Sequence, residues 1–297
     1  MNIGILHPGE MGVSIAASAM NSGHAVYWAS EGRGEKTRTR AGKHALIDTG
    51  TLKELCSVCR VILCICPPHA AQDVACKVIE AGFKGYYLDA NAISPHRSKS
   101  ISVMMQTAGI QYVDGGIIGG PAWEPNNTWL YLSGEGSSEI AACFTQGPLE
   151  TRVIGEEIGR ASALKMCYAA YTKGTTALLC AVLATAASLN VDEELFQQWD
   201  VDEAGFAEQA ARRARRVTTK AWRFASEMEE IAATFTSAGL PSGFHESAAE
   251  VFHRMEGFKD APDLPELSEV LASLQKKKHP TDCELNPKKR TRKESTS

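Results

Sequence analysis

Through the first half of the chain, short runs of β-branched and aromatic residues alternate with stretches of helical periodicity. The runs are "NIGIL" at 2–6, "AVYWA" at 25–29, "RVILCIC" at 60–66, "GYYLDA" at 85–90, "IQYVDG" at 110–115 and "TWLYLSG" at 128–134, and residues 10–22 form the first helical stretch. This alternation predicts an α/β unit, a doubly wound and mostly parallel sheet with helices on both faces. After about Ile158 the strand signal stops and helical periodicity continues to about Lys278. Two long helices are predicted there, over 159–189 and 203–239, the second punctuated by Gly239 and Pro241. The pattern divides the chain into a sheet domain over 1–158, an all-α domain over 159–275 and a tail over 276–297 without apolar periodicity, read as disordered.

Composition changes this picture little: 297 residues with 44% hydrophobic and 22% charged content leave room for two ordinary globular cores. Charge is uneven, because the tail holds eight Lys and Arg against three Asp and Glu, so residues 1–275 sum to −9. That balance argues against nucleic-acid binding. The tail segment "PKKRTRK" at 287–293 has the composition of a nuclear import signal, although a basic solvated tail is the commoner outcome. Met1 leads directly into the first strand without a basic leader or cleavage site, so a cytoplasmic location is expected. The uncharged run 174–191 is too rich in Ala, Thr and Ser for a membrane span and reads as a buried helix. Nine cysteines without secretory signals predict reduced thiols. "CSVC" (Cys56, Cys59) has no second ligand pair at metal spacing, so no metal site is expected.

The densest chemistry opens the chain. In "HPGEMG", residues 7–12, a strand, a tight turn and a helix start would offer free N–H groups and a positive dipole end to a dinucleotide pyrophosphate. Gly9 admits the phosphate to the backbone and Gly12 lets helix and strand pack. His7 stands at the first fingerprint position, where a positive φ would disfavour a side chain, while Pro8 stiffens the turn. At the end of the second strand, Ser30 and Arg33 suit a 2′-phosphate, favouring NADP; Glu31 keeps NAD open. Arg33, Arg38 and Arg40 also fit a plain solvated face.

Taken together, "HPGEMG", "LDANAISP", "YVDGGIIGGPAW" and "GRASALKMCYAAYTKG" resemble the β-hydroxyacid dehydrogenase and 6-phosphogluconate dehydrogenase-like superfamily, over about residues 1–275. The stretch "KAWRFASEMEEIAATFTSAGLPSGFHESAAEVF" is most similar to a phosphogluconate-dehydrogenase-like C-terminal domain family for which no specific substrate is generally assigned. The resemblance implies a Rossmann-type nucleotide domain followed by an all-α 6-phosphogluconate-dehydrogenase-like domain. It implies cofactor contacts from Gly9, Glu10, Met11, Gly12, Ser30, Arg33, Cys66, Pro67 and Asn91. It implies Lys165 as general acid/base and substrate contacts from Asn91, Gly119 and Gly120; helical spacing, not the resemblance, puts Tyr168 and Thr172 near the Lys165 face, where either would orient the substrate hydroxyl. Asn91 and Ala92 replace the family's Ser and Thr, and Ala169 stands where the family carries Asn, which puts the usual 3-hydroxy acids in doubt. Lys173, eight residues beyond Lys165 and about 80° around the helix, is expected behind the site or toward a partner subunit.

Trp222, Arg223, Glu227, Glu230 and His245 form the richest cluster of the helical domain. The structural reading is a tryptophan anchoring the bundle with charges facing solvent; the functional one has His245 or Arg223 closing the substrate pocket. Arg212, Arg213, Arg215 and Arg216 read as a solvated or interface face rather than a phosphate site. The expected activity is hydride transfer between NADP and a small polar hydroxy acid, alcohol or its carbonyl form. Imine reduction on the same fold is the alternative, disfavoured by a lysine that imine reductases generally lack. A non-catalytic NADP-binding protein is the other, suggested by the departures at 91 and 169. The expected partners are a small-molecule substrate and a second copy through the long central helix, with neither membrane nor nucleic acid.

Overall fold

The computed structural model describes residues 1–275; the tail, with its expected disorder and import signal, lies outside them. Eight strands form one sheet: β1 (Asn2–Leu6), β2 (Ala25–Trp28), β3 (Ile47–Asp48), β4 (Val61–Cys64), β5 (Tyr86–Asp89), β6 (Gln111–Gly119), β7 (Thr128–Ser133) and β8 (Leu149–Val153). Their order is β3-β2-β1-β4-β5-β6-β7-β8, with only the β6–β7 pair antiparallel. The doubly wound, mostly parallel architecture expected from the alternating pattern is what the chain forms.

Two apolar cores flank this sheet. One holds residues of α1 (Glu10–Asn21), α2 (Glu35–Lys43) and α6 (Ser137–Ala141) against Ile3, Ile5, Val61 and Leu63. The other holds residues of α3 (Leu52–Val58), α4 (Ala71–Glu80) and α5 (Pro95–Thr107) against Leu6, Ile62, Cys64 and Tyr87. β4 is buried at every position, as a central parallel strand covered on both faces must be. Local signals agree with this packing. Thr51 and Glu54 close a capping box on α3, and Ser94 caps α5 just before Pro95 at its first position.

The helical domain is built around α7 (Arg160–Leu189), with α8 (Asp192–Asp202), α9 (Phe206–Val217), α10 (Ala221–Ser237), α11 (Gly243–His253) and α12 (Leu267–Gln275). α7 is apolar and long enough to cross a membrane, yet it packs on β6 and on α9 to α12 as the spine of this domain. The single helix expected over 203–239 is instead two, α9 and α10, parted by a 3-10 turn at Thr218–Lys220. The reason is local: Thr218 and Thr219 hydroxyls donate back to the carbonyls of Arg215 and Arg216, a competition that bends helices.

The two halves meet at the start of α7. Its cap, Gly159, has a left-handed φ of 97° and no side chain to satisfy the first turn. The carboxylate of Asp114 on β6 does so instead, accepting from Gly159 N and Ser162 N at 3.0 Å each. It also accepts from the hydroxyls of Ser98 (2.8 Å), Ser133 (3.0 Å) and Ser162 (2.5 Å). Two residues on, Gly116 makes room for the helix: a Cβ there would lie 2.5 Å from the Ala161 carbonyl and 3.2 Å from Lys165 Cβ. Asp114→Ala would strand five donors in a dry junction, and we expect it to cost at least about 3 kcal/mol in urea unfolding. Asp114→Asn, which keeps an acceptor, should lose clearly less; equal losses would show that the carboxylate merely fills space.

Candidate active site

A cavity of about 560 Å³ opens between the C-terminal ends of the central strands and the face of α7. Its nucleotide-side wall includes His7, Gly9, Glu10, Met11, Gly12, Arg33, Cys66, Pro67 and Asn91. This is the crevice where open α/β sheets bind ligands. The turn into α1 is tight, with Gly9 N donating to His7 O at 2.7 Å, and a Cβ on Gly12 would approach that same carbonyl to 3.1 Å. His7 does adopt the left-handed conformation, φ 63°, that sequence reasoning held against it; histidine is among the residues that tolerate it. Burial, with the charges of Arg33 and Lys77 adding, lowers its imidazole to about 4, so it is neutral at physiological pH.

The turn fits a dinucleotide. Arg33 Nε and His7 Nδ1 are buried without a hydrogen-bond partner among the described residues, both at this wall. An unsatisfied guanidinium beside a glycine turn and a helix N-terminus is what a phosphate would complete. Glu10 is turned aside to pair with Arg40 at 2.7 Å. Ser30 is not in the wall: it is buried, and its backbone N–H donates to Asp48 Oδ1 at 3.2 Å, which holds this residue at the strand end away from the cavity. Thr37 lines the cavity in its place.

At the centre, Asn91 is buried and its amide is already engaged. Its Oδ1 accepts from Cys66 N at 2.5 Å, its Nδ2 donates to Cys64 Sγ at 3.4 Å, and its backbone N–H donates to Asp89 Oδ1 at 3.0 Å. Asn91 therefore ties the ends of β4 and β5 together, rather than presenting a free carbonyl oxygen to a ligand. Burial raises the Asp89 carboxyl to about 7, and nearby Asp114 adds to the effect. Gly119, with φ 120°, lines the cavity; Gly120 does not, and its carbonyl accepts from Thr128 Oγ1 at 2.6 Å.

The opposite wall is one face of α7. Lys165, Tyr168, Ala169, Thr172 and Lys173 all line the cavity, as residues three, four, seven and eight apart on a helix must when the first does. The Thr172 hydroxyl is spent on Tyr168 O at 3.2 Å. Lys165 has no hydrogen-bond partner among the described residues. Burial lowers its ammonium to about 8, with the charges of Lys173 and Arg223 acting in the same direction and Glu227 against them. Lys173, expected behind the site, is in its wall, pairs with Glu227 and lies over the Phe224 ring at 4.8 Å. Burial opposes ionisation of Glu227, but Lys173 and Lys165 outweigh it and hold the carboxyl below its usual value.

α10 closes the cavity with Trp222, Arg223, Phe224 and Glu227, joined by Lys220 from the preceding turn. Glu227 and Glu230 are buried, not solvent-facing as the structural reading had them. Glu230 crosses to the nucleotide domain, accepting from Ser94 N at 2.8 Å and pairing with Arg97 at 2.9 Å. His245 does not reach the cavity. It packs on Phe235 (centroids 4.1 Å apart) and Phe244 (5.3 Å), and Phe235 sits twelve residues, about 18 Å of helix, beyond Arg223.

The family model for the NAD-binding domain of 6-phosphogluconate dehydrogenase matches residues 2–142, and a domain of unknown function, DUF1932, matches residues 186–255. An uncharacterised 28.5 kDa protein of Methanothermus fervidus is 30% identical over 198 residues, covering 66% of this chain and 75% of that one. The chain belongs to the 6-phosphogluconate dehydrogenase-like superfamily, in the subgroup with the DUF1932 C-terminal domain. This is a superfamily of nicotinamide-dependent oxidoreductases. Among solved structures, a conserved protein of unknown function described as similar to 3-hydroxyacid dehydrogenases is 26% identical, with TM-score 0.63, covering 86% of this chain and 97% of its own. The 3-hydroxyisobutyrate dehydrogenase of Mycobacterium tuberculosis, solved with L-serine, has TM-score 0.67 at 16% identity, covering 93% and 99%. Imine reductases and reductive aminases share the fold at 14–16% identity.

Glu227 sets the local balance of charge, which gives a direct test. In Glu227→Gln the carboxylate that favours the Lys165 ammonium is gone while Lys173 and Arg223 remain, so the Lys165 titration should move below about 8. NMR of ¹³Cε-labelled lysines reads it; an unmoved midpoint would remove Glu227 from the account.

Proposed function

We propose that this member of the superfamily is an NADP-preferring oxidoreductase acting on a small polar hydroxy acid or alcohol, or on its carbonyl form. The observation that carries the reading is Lys165: an unpaired lysine with its ammonium lowered to about 8, on the cavity wall facing a glycine turn built for a dinucleotide. A general acid/base works best when its pKa lies near the operating pH.

The nicotinamide cofactor supplies or takes up the hydride. The chain does the rest. Gly9, Met11, Gly12 and the N-terminus of α1 would hold the pyrophosphate, and Arg33 with Thr37 would receive the adenosine phosphate, which supports NADP over NAD. Lys165 Nζ gives its proton to the carbonyl oxygen as the carbon gains hydride, and the reverse reaction returns that proton to the neutral amine. The amine regains a proton from solvent through the open mouth. Gly119, Tyr168 and the α10 side chains shape the substrate end. The lysine favours carbonyl over imine substrates, because an imine nitrogen is basic enough to arrive already protonated.

We also propose a homodimer through α7. Its outward face leaves Leu164, Tyr168, Tyr171 and Leu178 exposed, Tyr171 by 75%, and the exposed Phe244 ring lies beside Gly174 on the same helix. Spaced along one stripe, these make an apolar surface suited to a second copy. Tyr168 belongs to both the stripe and the cavity wall, so pairing and active-site closure would be linked.

The central test is NADPH and NADH oxidation over a panel of oxo acids, aldehydes, sugar-acid analogues and cyclic imines. A carbonyl should be reduced with NADPH preferred, and Lys165→Ala should lower kcat by about 10²-fold or more. Reduction needs the ammonium, so kcat/KM should be level below about pH 8 and fall about tenfold per unit above it. Oxidation needs the amine and should show the mirror-image limb. Turnover of imines alone, indifferent to Lys165→Ala, would overturn the reading. For the dimer, sedimentation equilibrium should give twice the chain mass, and Tyr171→Glu with Leu178→Glu should give monomers.

A further inference from the structure

We infer that the substrate carries a second anionic group, remote from the reacting carbon, and that Arg223 and Lys220 bind it. The inference rests on the oxidoreductase reading above and adds the substrate's charge pattern to it.

Pairing of the cations around the cavity is the first argument. Lys173 is ion-paired with Glu227, Arg33 faces the nucleotide turn, and Lys165 is the proposed proton donor. Arg223 and Lys220 also line the cavity, and neither makes a hydrogen bond or an ion pair within 4 Å among the described residues; Arg223 lies 6.0 Å from the Trp222 ring, and Glu227, one turn on, feels its charge but is paired with Lys173. Over residues 1–275 the net charge is −9, so carboxylates are plentiful. The cations at this mouth are nonetheless left open.

Continuity is the second argument. Lys220 lies in two concavities at once: the cavity, and an open groove of about 610 Å³ that includes Arg212, Arg213, Arg216 and Phe224. Two of that groove's four cations are committed. Arg212 pairs with Glu208, and Arg213 bonds Thr172 O and the hydroxyls of Thr175 and Thr176. Arg216 is not committed: its guanidinium has no partner among the described residues, like Lys220 and Arg223. Arg216 lies at the end of α9, Lys220 in the Thr218–Lys220 turn and Arg223 in the first turn of α10, and Lys220 belongs to both concavities. They form a track of open positive charge leading out of the cavity. Like charges so spaced repel one another, and an anion removes that repulsion.

Position supplies the third argument. Arg223 and Lys165 line the same cavity of about 560 Å³, so an anion on Arg223 and a carbonyl at Lys165 can belong to one small molecule. A simple monocarboxylic hydroxy acid would occupy only the Lys165 and Gly119 end. A dicarboxylic or phosphorylated oxo or hydroxy acid fills both.

The test compares substrates in pairs: a 2-oxo dicarboxylic acid with its distal monoamide, and a phosphorylated sugar acid with the unphosphorylated one. The wild-type protein should favour the charged-tail member of at least one pair by about tenfold or more in kcat/KM, mainly through KM, and the preferred pair names carboxylate or phosphate. Lys220→Gln and Arg223→Gln should each bring that ratio toward one, and the double variant should abolish it. Arg152→Gln, on β8, removes a positive charge outside the cavity and groove and should leave the ratio alone. Retained NADPH binding shows that each variant is folded. Equal use of both members by the wild type, or equal loss for both in the variants, overturns the inference. If no carbonyl is turned over, the oxidoreductase reading fails separately. The subsite is then judged by calorimetry with pyrophosphate and with succinate, where binding lost in the double variant supports it and absence of wild-type binding overturns it.

Discussion

One buried carboxylate fixes the geometry of this molecule. A helix as long as α7 begins with several N–H groups that nothing inside it can satisfy, and its glycine cap contributes no side chain. Asp114, on the neighbouring strand, takes two of those N–H groups and meets the positive end of the helix dipole with a negative charge. Because the same carboxylate also accepts from serines on α5, β7 and α7, the helix has a single low-energy placement against the sheet. Lys165 follows less than one turn after Ser162, and Gly116 lets it lie directly against β6. The position of the proposed proton donor is thus decided by a strand, a cap and a missing Cβ, none of which touches a substrate.

α10 is held in a similar way. Glu227 and Glu230 lie one turn apart, both buried, and do different work. Glu230 reaches the N-terminus of α5 and Arg97, which binds the helical domain to the nucleotide domain beside the Asn91 loop. Glu227 stays at the cavity and neutralises Lys173. Burying either carboxylate alone would be costly, and each is tolerated because a cation and further donors meet it. The cavity is thereby bounded by two helices whose placements are set by separate buried carboxylates.

Periodicity made the architecture legible, since strand and helix patterns depend on burial and burial follows the sheet and the spine. Gly9, Met11, Gly12 and Lys165, singled out by their match to family motifs, lie on opposite walls of one cavity, because those positions are set by backbone geometry close in sequence. Where reasoning failed, the deciding interaction was distant. Ser30 is turned away by Asp48, eighteen residues on. His245 is on the right helix hairpin but at its far end, a matter of rise per residue that motif order does not convey. The break at Thr218–Lys220 was signalled by the Val217, Thr218, Thr219 run, yet flanking helix formers masked it. Asp114 carried a signal that could have been used: a charged residue at the end of an apolar strand run, followed by two glycines, asks what its carboxylate bonds to.

The electrostatics of the cavity have a direction. An ammonium lowered toward neutrality needs desolvation and neighbouring positive charge, and here Lys173 and Arg223 supply the charge. Any anion that enters cancels part of it, and the Lys165 ammonium is then favoured again. Under the proposed function, binding of an anionic oxo substrate would draw the lysine toward the protonated form that reduction requires, at the moment the carbonyl arrives. A neutral substrate would leave the lysine where burial and its neighbours put it. Charge on the substrate thus serves attraction and, through Lys165, the protonation state of the acid, so recognition and proton transfer share one set of side chains.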